Sequence, residues 1–332
     1  MLNIDIFAHI LPAKYKEAID KEMGPGHYQM VHAAMATMFD LDYRFRIMDK
    51  FEGLMHVLSI AGPPLEDIVD SKKAVDLAKL ANDEMAELVM KYPDRFAAAV
   101  ALLPMNNVDE ALKEIDRTIK DLKFRGIQIY TPILDRPLDL PEFMPIYQKM
   151  AEYNLPIWLH PTRPRDYPDY RSEKESPYRI YWYFGWVYET SAAMARLVMS
   201  GILEKYPNLK FITHHAGGMI PFCEKRIVGG LDHTEMLQRS NFKENLRRPV
   251  LDYYKMFYAD TAINASMPAL MCAKEFFGAD HFMFGTDWPF DSQRGERNTR
   301  EGIEAINNME ISDTEKRMIL EDNARRLLRL AV

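Results

Sequence analysis

The residues best suited to chemistry in this chain are histidines and aspartates that close short apolar runs. Ile4-Asp5-Ile6-Phe7-Ala8-His9 ends in an imidazole, as does Trp158-Leu159-His160, which is followed by Pro161. Thr213-His214-His215 runs into Ala216-Gly217-Gly218, and Gly285-Thr286-Asp287 runs into Trp288-Pro289-Phe290. Imidazole and carboxylate are ordinary ligands of zinc and related divalent ions. His9, His160 and Asp287 would together supply three protein ligands and leave a position for water or reactant, as catalytic zinc sites do. Side chains alternate along a strand, so only one of His214 and His215 is expected to face inward. We take His215, as an acid–base group whose ordinary pKa lies near neutrality. A lone histidine at a strand end is more often a hydrogen-bonded structural group than a ligand. The recurrence of such residues at corresponding places in successive units shifts the balance towards a site. His27, His32, His56, His233 and His281 lack that placement and read as structural or surface groups.

Residues so far apart in sequence need a scaffold that gathers strand ends. Eight β-branched or aromatic runs, at 4–10, 56–61, 97–103, 126–130, 155–160, 210–215, 256–261 and 281–286, alternate with helical patterns. The helices are expected at 72–91, 108–122, 141–153, 190–206, 266–277, 296–308 and 312–330. Pro141 opens one of them where no amide donor is missed. Ser312 with Glu315 fits a capping box. Eight strand–helix alternations in 332 residues predict an α/β fold of the (βα)8 TIM-barrel type, one domain over 1–332, with its working residues at the C-terminal strand ends. A doubly wound open sheet is the runner-up. It usually carries a glycine-rich phosphate turn after its first strand, whereas here that strand runs into His9-Ile10-Leu11-Pro12. Two stretches exceed ordinary loops, 11–55 after the first strand and 163–189 after the fifth. The second holds nine aromatic residues, among them Tyr181, Trp182, Phe184 and Trp186. It reads equally as a cover for the barrel rim and as a substrate lid or dimer contact.

Composition excludes several functions. Hydrophobic residues make up 48% and charged residues 27%, which is globular usage and not that of a disordered chain. A net charge of −7 and a pI near 5.8 offer no basic face for nucleic acid. No apolar stretch is long enough to cross a bilayer, and Met1–Asp5 has no signal-peptide character. Cys223 and Cys272 alone make no disulfide framework, so a reducing cytoplasm is expected. The 22 methionines show no clustering with histidine and read as core filler.

The strand-end motifs resemble the amidohydrolase superfamily, and within it the branch of aminocarboxymuconate semialdehyde decarboxylase and related aromatic-acid decarboxylases. That branch opens with Ile-Asp-Ile-His-x-His-Ile-Leu-Pro, to which Ile4-Asp5-Ile6-Phe7-Ala8-His9-Ile10-Leu11-Pro12 is similar. Its His-Pro end of strand five resembles His160-Pro161. Its His-Gly-Gly-Gly stretch, with a following Pro-Phe and a later arginine, resembles His215-Ala216-Gly217-Gly218, Pro221-Phe222 and Arg226. Its Gly-x-Asp-x-Pro-Phe resembles Gly285 to Phe290. The resemblance spans nearly the whole chain. It implies metal ligands at His9, His160 and Asp287, an acid–base histidine at His215, and Arg226 near the active site or a dimer contact. It also implies a divalent metal, zinc ahead of manganese, and a homodimer. One position departs. Phe7 stands where the branch has its first metal histidine or, in some members, glutamate. Three outcomes follow, in order of preference. The metal stays with His9, His160, Asp287 and solvent; or Asp5, one step deeper on the same strand face, assists; or the metal is lost and the chemistry has changed.

The function this implies is non-oxidative decarboxylation of a small aromatic or unsaturated carboxylic acid. His215 and Asp287 would manage the proton. Arg163, Arg165 and Arg226 lie near strand ends five and six and suit an anionic substrate, although Arg163 and Arg165 fit a solvated loop equally well. Phe7 would present its ring to the substrate. Two alternatives stand beside this one. A metal-activated water on the same scaffold could hydrolyse a lactone or amide or hydrate a double bond. A catalytically retired barrel, marked by Phe7, could instead bind a ligand or partner protein.

Overall fold

In the computed structural model, which describes residues 2–24, 26–237 and 245–331, eight parallel strands pair in chain order. They are β1 (Asn3–Ile10), β2 (Leu54–Ile60), β3 (Phe96–Ala99), β4 (Ile127–Thr131), β5 (Pro156–Pro161), β6 (Lys210–Thr213), β7 (Tyr258–Asp260) and β8 (Phe282–Met283). Regular pairing joins β1 to β3 and β4 to β8. Two seams close the ring. Ala101 bridges to Ile127 between β3 and β4, and Ala8 bridges to Trp288 between β1 and the chain leaving β8. At the second seam Ile6 N–H donates to the Phe284 carbonyl at 3.0 Å and His9 N–H to that of Trp288 at 2.9 Å. The result is the predicted (βα)8 barrel. Strands β3, β7 and β8 are shorter than their apolar runs, because the chain leaves extended geometry before the hydrophobic pattern ends.

Inside the barrel, Ile4, Ile6, Val57, Val100, Ile212 and Met283 pack around Trp158, with Leu327 and Leu328 of the C-terminal helix joining the same cluster. The Trp158 indole donates to the Ile6 carbonyl at 3.0 Å, which satisfies its one polar group. Gly126 makes room for that ring: a Cβ there would lie 2.4 Å from the Pro156 carbonyl oxygen and 2.5 Å from the indole. A second apolar layer lies between strands and helices. Ser71–Lys91 contributes Leu77, Ala78, Ala81 and Met85 to it. That helix is capped by Asp70, which accepts from Lys73 N–H at 2.9 Å. The capping box at Ser312 and Glu315 is present.

Departures from the expected elements have local causes. The helix expected over 190–206 begins at Trp186 and stops at Met199, and Gly201 then turns left-handed at φ +77° before the short helix Ile202–Lys205. The pattern over 312–330 is broken by a π-helical turn at Met318–Asp322. Helix Glu224–Met236 was hidden in the sequence by Gly229 and Gly230, which weaken helical propensity. The first insertion folds into helices Ala13–Met23, His27–Ala34 and Leu41–Met48. The second ends in a π-helical turn, Tyr181–Gly185, that runs into helix Trp186–Met199. Both cysteines are unpaired, and no helix among the described residues is long and apolar enough to cross a membrane.

Candidate metal centre and active site

At the C-terminal mouth of the barrel, His9, His160, His214 and Asp287 each offer a ligand atom, and these atoms lie within 4.8 Å of one another. The strands deliver them: His9 near the end of β1, His160 near the end of β5, and the other two just past β6 and β8. Each imidazole is held from behind through Nδ1. His160 Nδ1 donates to the Pro161 carbonyl at 2.8 Å. His9 Nδ1 lies 3.1 Å from the Ser59 hydroxyl. His214 Nδ1 donates to the Asp260 carboxylate. Fixing Nδ1 turns Nε2 towards the centre. His9 Nε2 and His214 Nε2 both sit 3.3 Å from Asp287 Oδ1, and both are buried with no hydrogen-bond partner. Buried polar atoms are rarely left so. Imidazole lone pairs converging on a carboxylate are a fitting donor set for a divalent metal.

The electrostatics agree. Burial opposes charge on His214, but the Asp260 and Asp287 carboxylates outweigh it and push its pKa up to about 9. Burial likewise works against charge on Asp287, yet His214 and His9 hold it well below the usual carboxylate range. His160 is driven well below its ordinary value by burial and by His214 and His9. His215 falls to about 3, through burial and the neighbouring His214. The centre therefore favours positive charge between Asp287 and Asp260. Asp260 is itself well anchored, its Oδ1 accepting from Ala216 N–H at 3.0 Å and Ala262 N–H at 3.1 Å.

The structure brings His9, His160 and Asp287 together and adds His214, which was passed over when His215 was chosen as the inward member of the pair. Alternation in fact favours His214, which lies two residues past Ile212 of the barrel interior, while Phe211 packs in the outer layer; β6 itself ends at Thr213. His215 opens a left-handed turn, with φ of +57°, +55°, +77° and +63° from His215 to Gly218. His214 thus keeps the inward position while His215 curls back over it, their ring centroids 3.8 Å apart. His215 Nε2 comes to 3.9 Å from Asp287 Oδ2. Phe7 corrects another expectation. Its ring has no exposed surface and stacks beneath His214 at 4.0 Å, so it faces an imidazole and not a substrate. Asp5 lies deeper and is occupied: it accepts from Phe7 N–H at 3.0 Å, from Thr286 N–H at 3.1 Å and from the Thr286 hydroxyl. Burial pushes its pKa up to about 7 despite those bonds. Arg226 is exposed on helix Glu224–Met236 and does not line the cavity. Arg163 does line it, with Nη1 donating to Glu189 at 2.8 Å and its guanidinium 4.1 Å from the Tyr167 ring. Arg165 pairs with Glu175. Asp260 was missed, although it sits at the end of a recognised strand.

Above the centre opens a cavity of about 770 Å³, with His160 and Asp287 on its floor. Tyr130, Trp182, Trp186 and Phe290 form aromatic walls, and Arg163 and Arg297 bring positive charge. The Trp186 ring lies 5.7 Å from that of His160. The second insertion is thus divided. Tyr181, Trp182 and Trp186 line the cavity, while Tyr183, Phe184 and Tyr188 are exposed. An aromatic-walled chamber with arginines beside a metal-binding floor suits a flat anion.

Residues 4–330 match the family model described as amidohydrolase. The gamma-resorcylate decarboxylase of Polaromonas sp. is 32% identical over 304 residues, covering 87% of each chain. The 2-amino-3-carboxymuconate-6-semialdehyde decarboxylase of Dictyostelium discoideum is 27% identical over 345 residues, covering 99% of this chain and 92% of that one. Among solved structures, a dihydroxybenzoic acid decarboxylase from Polaromonas sp., with bound manganese and the inhibitor 2-nitroresorcinol, matches with a TM-score of 0.79 at 27% identity, over 99% of this chain and 97% of that one. With its motifs, its barrel and a match from Ile4 to Leu330, this chain belongs to the amidohydrolase family.

Proposed function

We propose that the chain is a metal-dependent, non-oxidative decarboxylase of a small aromatic carboxylic acid. One observation carries the reading: buried, unpartnered imidazole nitrogens converge on Asp287 beneath an aromatic-walled cavity. The relatives' names give the reaction class; the site gives the means. His9, His160, His214 and Asp287 would hold the metal, zinc by the nature of the donors, with manganese as the alternative that a related structure contains. A divalent metal, when bound, supplies a Lewis acid that steadies negative charge on the reacting acid.

The chain's own residues supply the rest. Trp186 and Phe290 flank a flat ring and keep water from it. Arg163, anchored by Glu189, and Arg297 provide positive charge for an anion. His215, neutral and 3.9 Å from Asp287, relays the proton: it takes one from solvent, with the Asp287 carboxylate steadying the charged imidazole, and passes it to the ring carbon of the substrate. In the reaction the bond from ring carbon to carboxylate breaks, CO2 leaves, and the electron pair ends in a new C–H bond with that proton. The whole of 1–332 serves as one domain. The exposed aromatics Phe184, Tyr188 and Phe222 suit a homodimer contact, with Arg226 four residues after Phe222. We place the protein in the cytoplasm, without nucleic-acid or membrane partners.

The test is CO2 release from hydroxybenzoates and muconate-like acids by protein loaded with zinc or manganese. His160→Ala and Asp287→Ala should abolish release while the protein stays folded. Consumption of water without CO2 would move the reading to a hydrolase. Absence of both turnover and bound metal would overturn it altogether.

A further inference from the structure

Directly behind His9 lies a charged side chain that the chemistry above does not use. Arg44, on helix Leu41–Met48 of the first insertion, has no exposed surface. Its Nη1 donates to the His9 carbonyl at 2.8 Å. Its Nε and Nη2 both reach His56 Nδ1, at 3.2 and 2.8 Å. That nitrogen must be the acceptor, so His56 is neutral. Its pKa is indeed pushed well below the ordinary value, by burial and by Arg44. The guanidinium lies 5.4 Å from the ring of Trp288 and 5.6 Å from that of Phe96. Among the described residues no carboxylate reaches ion-pair distance of it, and the Asp5 carboxylate attracts it only from further away. Taking a guanidinium out of water for a carbonyl, an imidazole and two ring faces is costly, and apolar side chains would fill the same space at lower cost.

The position of those partners is informative. Trp288 follows Asp287 in the chain and belongs to the seam with β1. His9 N–H donates to the Trp288 carbonyl at 2.9 Å, and Trp288 N–H donates to that of Phe7 at 3.1 Å. Arg44 therefore grips the backbone of one candidate ligand and lies against the neighbour of another. It also ties both to β2 through His56, which packs on the Trp288 ring at 4.8 Å. We infer that Arg44 is a positioning residue of the metal centre, its guanidinium fork fixing the separation of His9 from Asp287 at the barrel seam. The inference rests on the metal reading given above.

The experiment compares the parent chain with Arg44→Met, which keeps the bulk and loses the fork, and Arg44→Lys, which keeps the charge and loses the planar fork. Three quantities are read: zinc affinity by chelator competition, the visible spectrum of the cobalt(II)-loaded protein, and the melting temperature of the metal-free protein. Arg44→Met is expected to bind zinc 10- to 100-fold more weakly, as other supports behind metal ligands do, with an altered cobalt spectrum. Arg44→Lys should fall between it and the parent. Folded Arg44→Met with parental zinc affinity and cobalt spectrum would overturn the inference, even if its metal-free form melted earlier. Should Arg44→Met not fold, Arg44→Lys decides by the same criteria, and failure of both to fold would assign Arg44 to the fold alone. A parent chain that binds neither metal would instead remove the metal reading itself.

Discussion

Replacing Asp260 by asparagine should weaken metal binding far more than its distance from the reactant suggests. Asp260 Oδ1 accepts two backbone N–H groups, from Ala216 and Ala262, and its other oxygen accepts from His214 Nδ1. Asparagine can keep the first two bonds only by turning its amide nitrogen towards His214. That nitrogen can only donate, so His214 Nδ1 must become the acceptor and the proton must move to Nε2. Nε2 then points a hydrogen at the centre and has no lone pair for a metal. The field involved is substantial. The net effect of Asp260, Asp287 and burial raises His214 from 6.5 to about 9, which corresponds to ~3 kcal/mol. Supports behind a ligating histidine are worth 10- to 100-fold in affinity, or ~1.4–2.8 kcal/mol, and a reversed tautomer belongs at the upper end. Ser59→Ala is the control. A hydroxyl can donate or accept, so Ser59 does not impose a tautomer on His9, and its loss should cost roughly threefold or less, well under the range for a group that fixes the ligating nitrogen. Zinc affinity by chelator competition checks both, with CO2 release alongside. Asp260→Asn with affinity within threefold of the parent would refute the tautomer reasoning.

Four further outcomes follow from the structure. Phe7→His should not tighten metal binding, because four donors already converge and the ring at position 7 lies beneath His214; it should instead cost roughly 1–3 kcal/mol for burying a polar ring, read by thermal melting. Metal binding should tighten about tenfold per pH unit between pH 7 and 9, since His214, pushed up to about 9, must lose a proton to bind; a flat profile in chelator competition would contradict this. The metal-free protein should show the reverse trend. A folded pKa raised above the unfolded one gives stability that is full below 6.5 and lost as pH rises through 9, about 3 kcal/mol from this group, measurable by denaturant unfolding at both ends of the window. Gly126→Ala should destabilise by about 1–3 kcal/mol, because its Cβ would meet a backbone oxygen at 2.4 Å.

The sequence was most readable where local pattern and tertiary role coincide. Long amphipathic helices such as Ser71–Lys91 and the eight apolar runs announced the barrel, because a closed parallel sheet buries both strand faces. His9 and Asp287 could be placed because His9 closes one such run and Asp287 directly follows another. His214 was legible in principle, since alternation from the inward Ile212 puts it on the same face; what the pattern hid is that β6 stops at Thr213, so that His215 turns back over the same site. Asp260 was legible in principle: it is the inward-facing end of β7, as Asp287 follows β8. It was passed over because its role, holding an imidazole and not a metal, has no spacing motif. Arg44 gave no signal at all. An arginine in an amphipathic helix looks solvated until the strands packed over it are known.

Phe7 is best understood through the charge of the whole buried assembly. A phenylalanine at a ligand position suggests a site in decay, yet the donor missing from β1 is matched by His214 from β6, and the two rings stack against each other. With three neutral imidazoles, the full negative charges close to the centre are Asp287, which touches His9 and His214, and Asp260, which holds His214 from behind. A divalent cation balances these two. An acidic residue at position 7 would have left a third negative charge without a partner in a region shut off from water, where an uncompensated charge is severely unfavourable. An apolar ring there, flat against the His214 imidazole, adds no further charge beside the two carboxylates that a divalent ion would balance. In the metal-free protein the same two carboxylates draw a proton onto His214 instead, so the proton and the metal compete for one nitrogen.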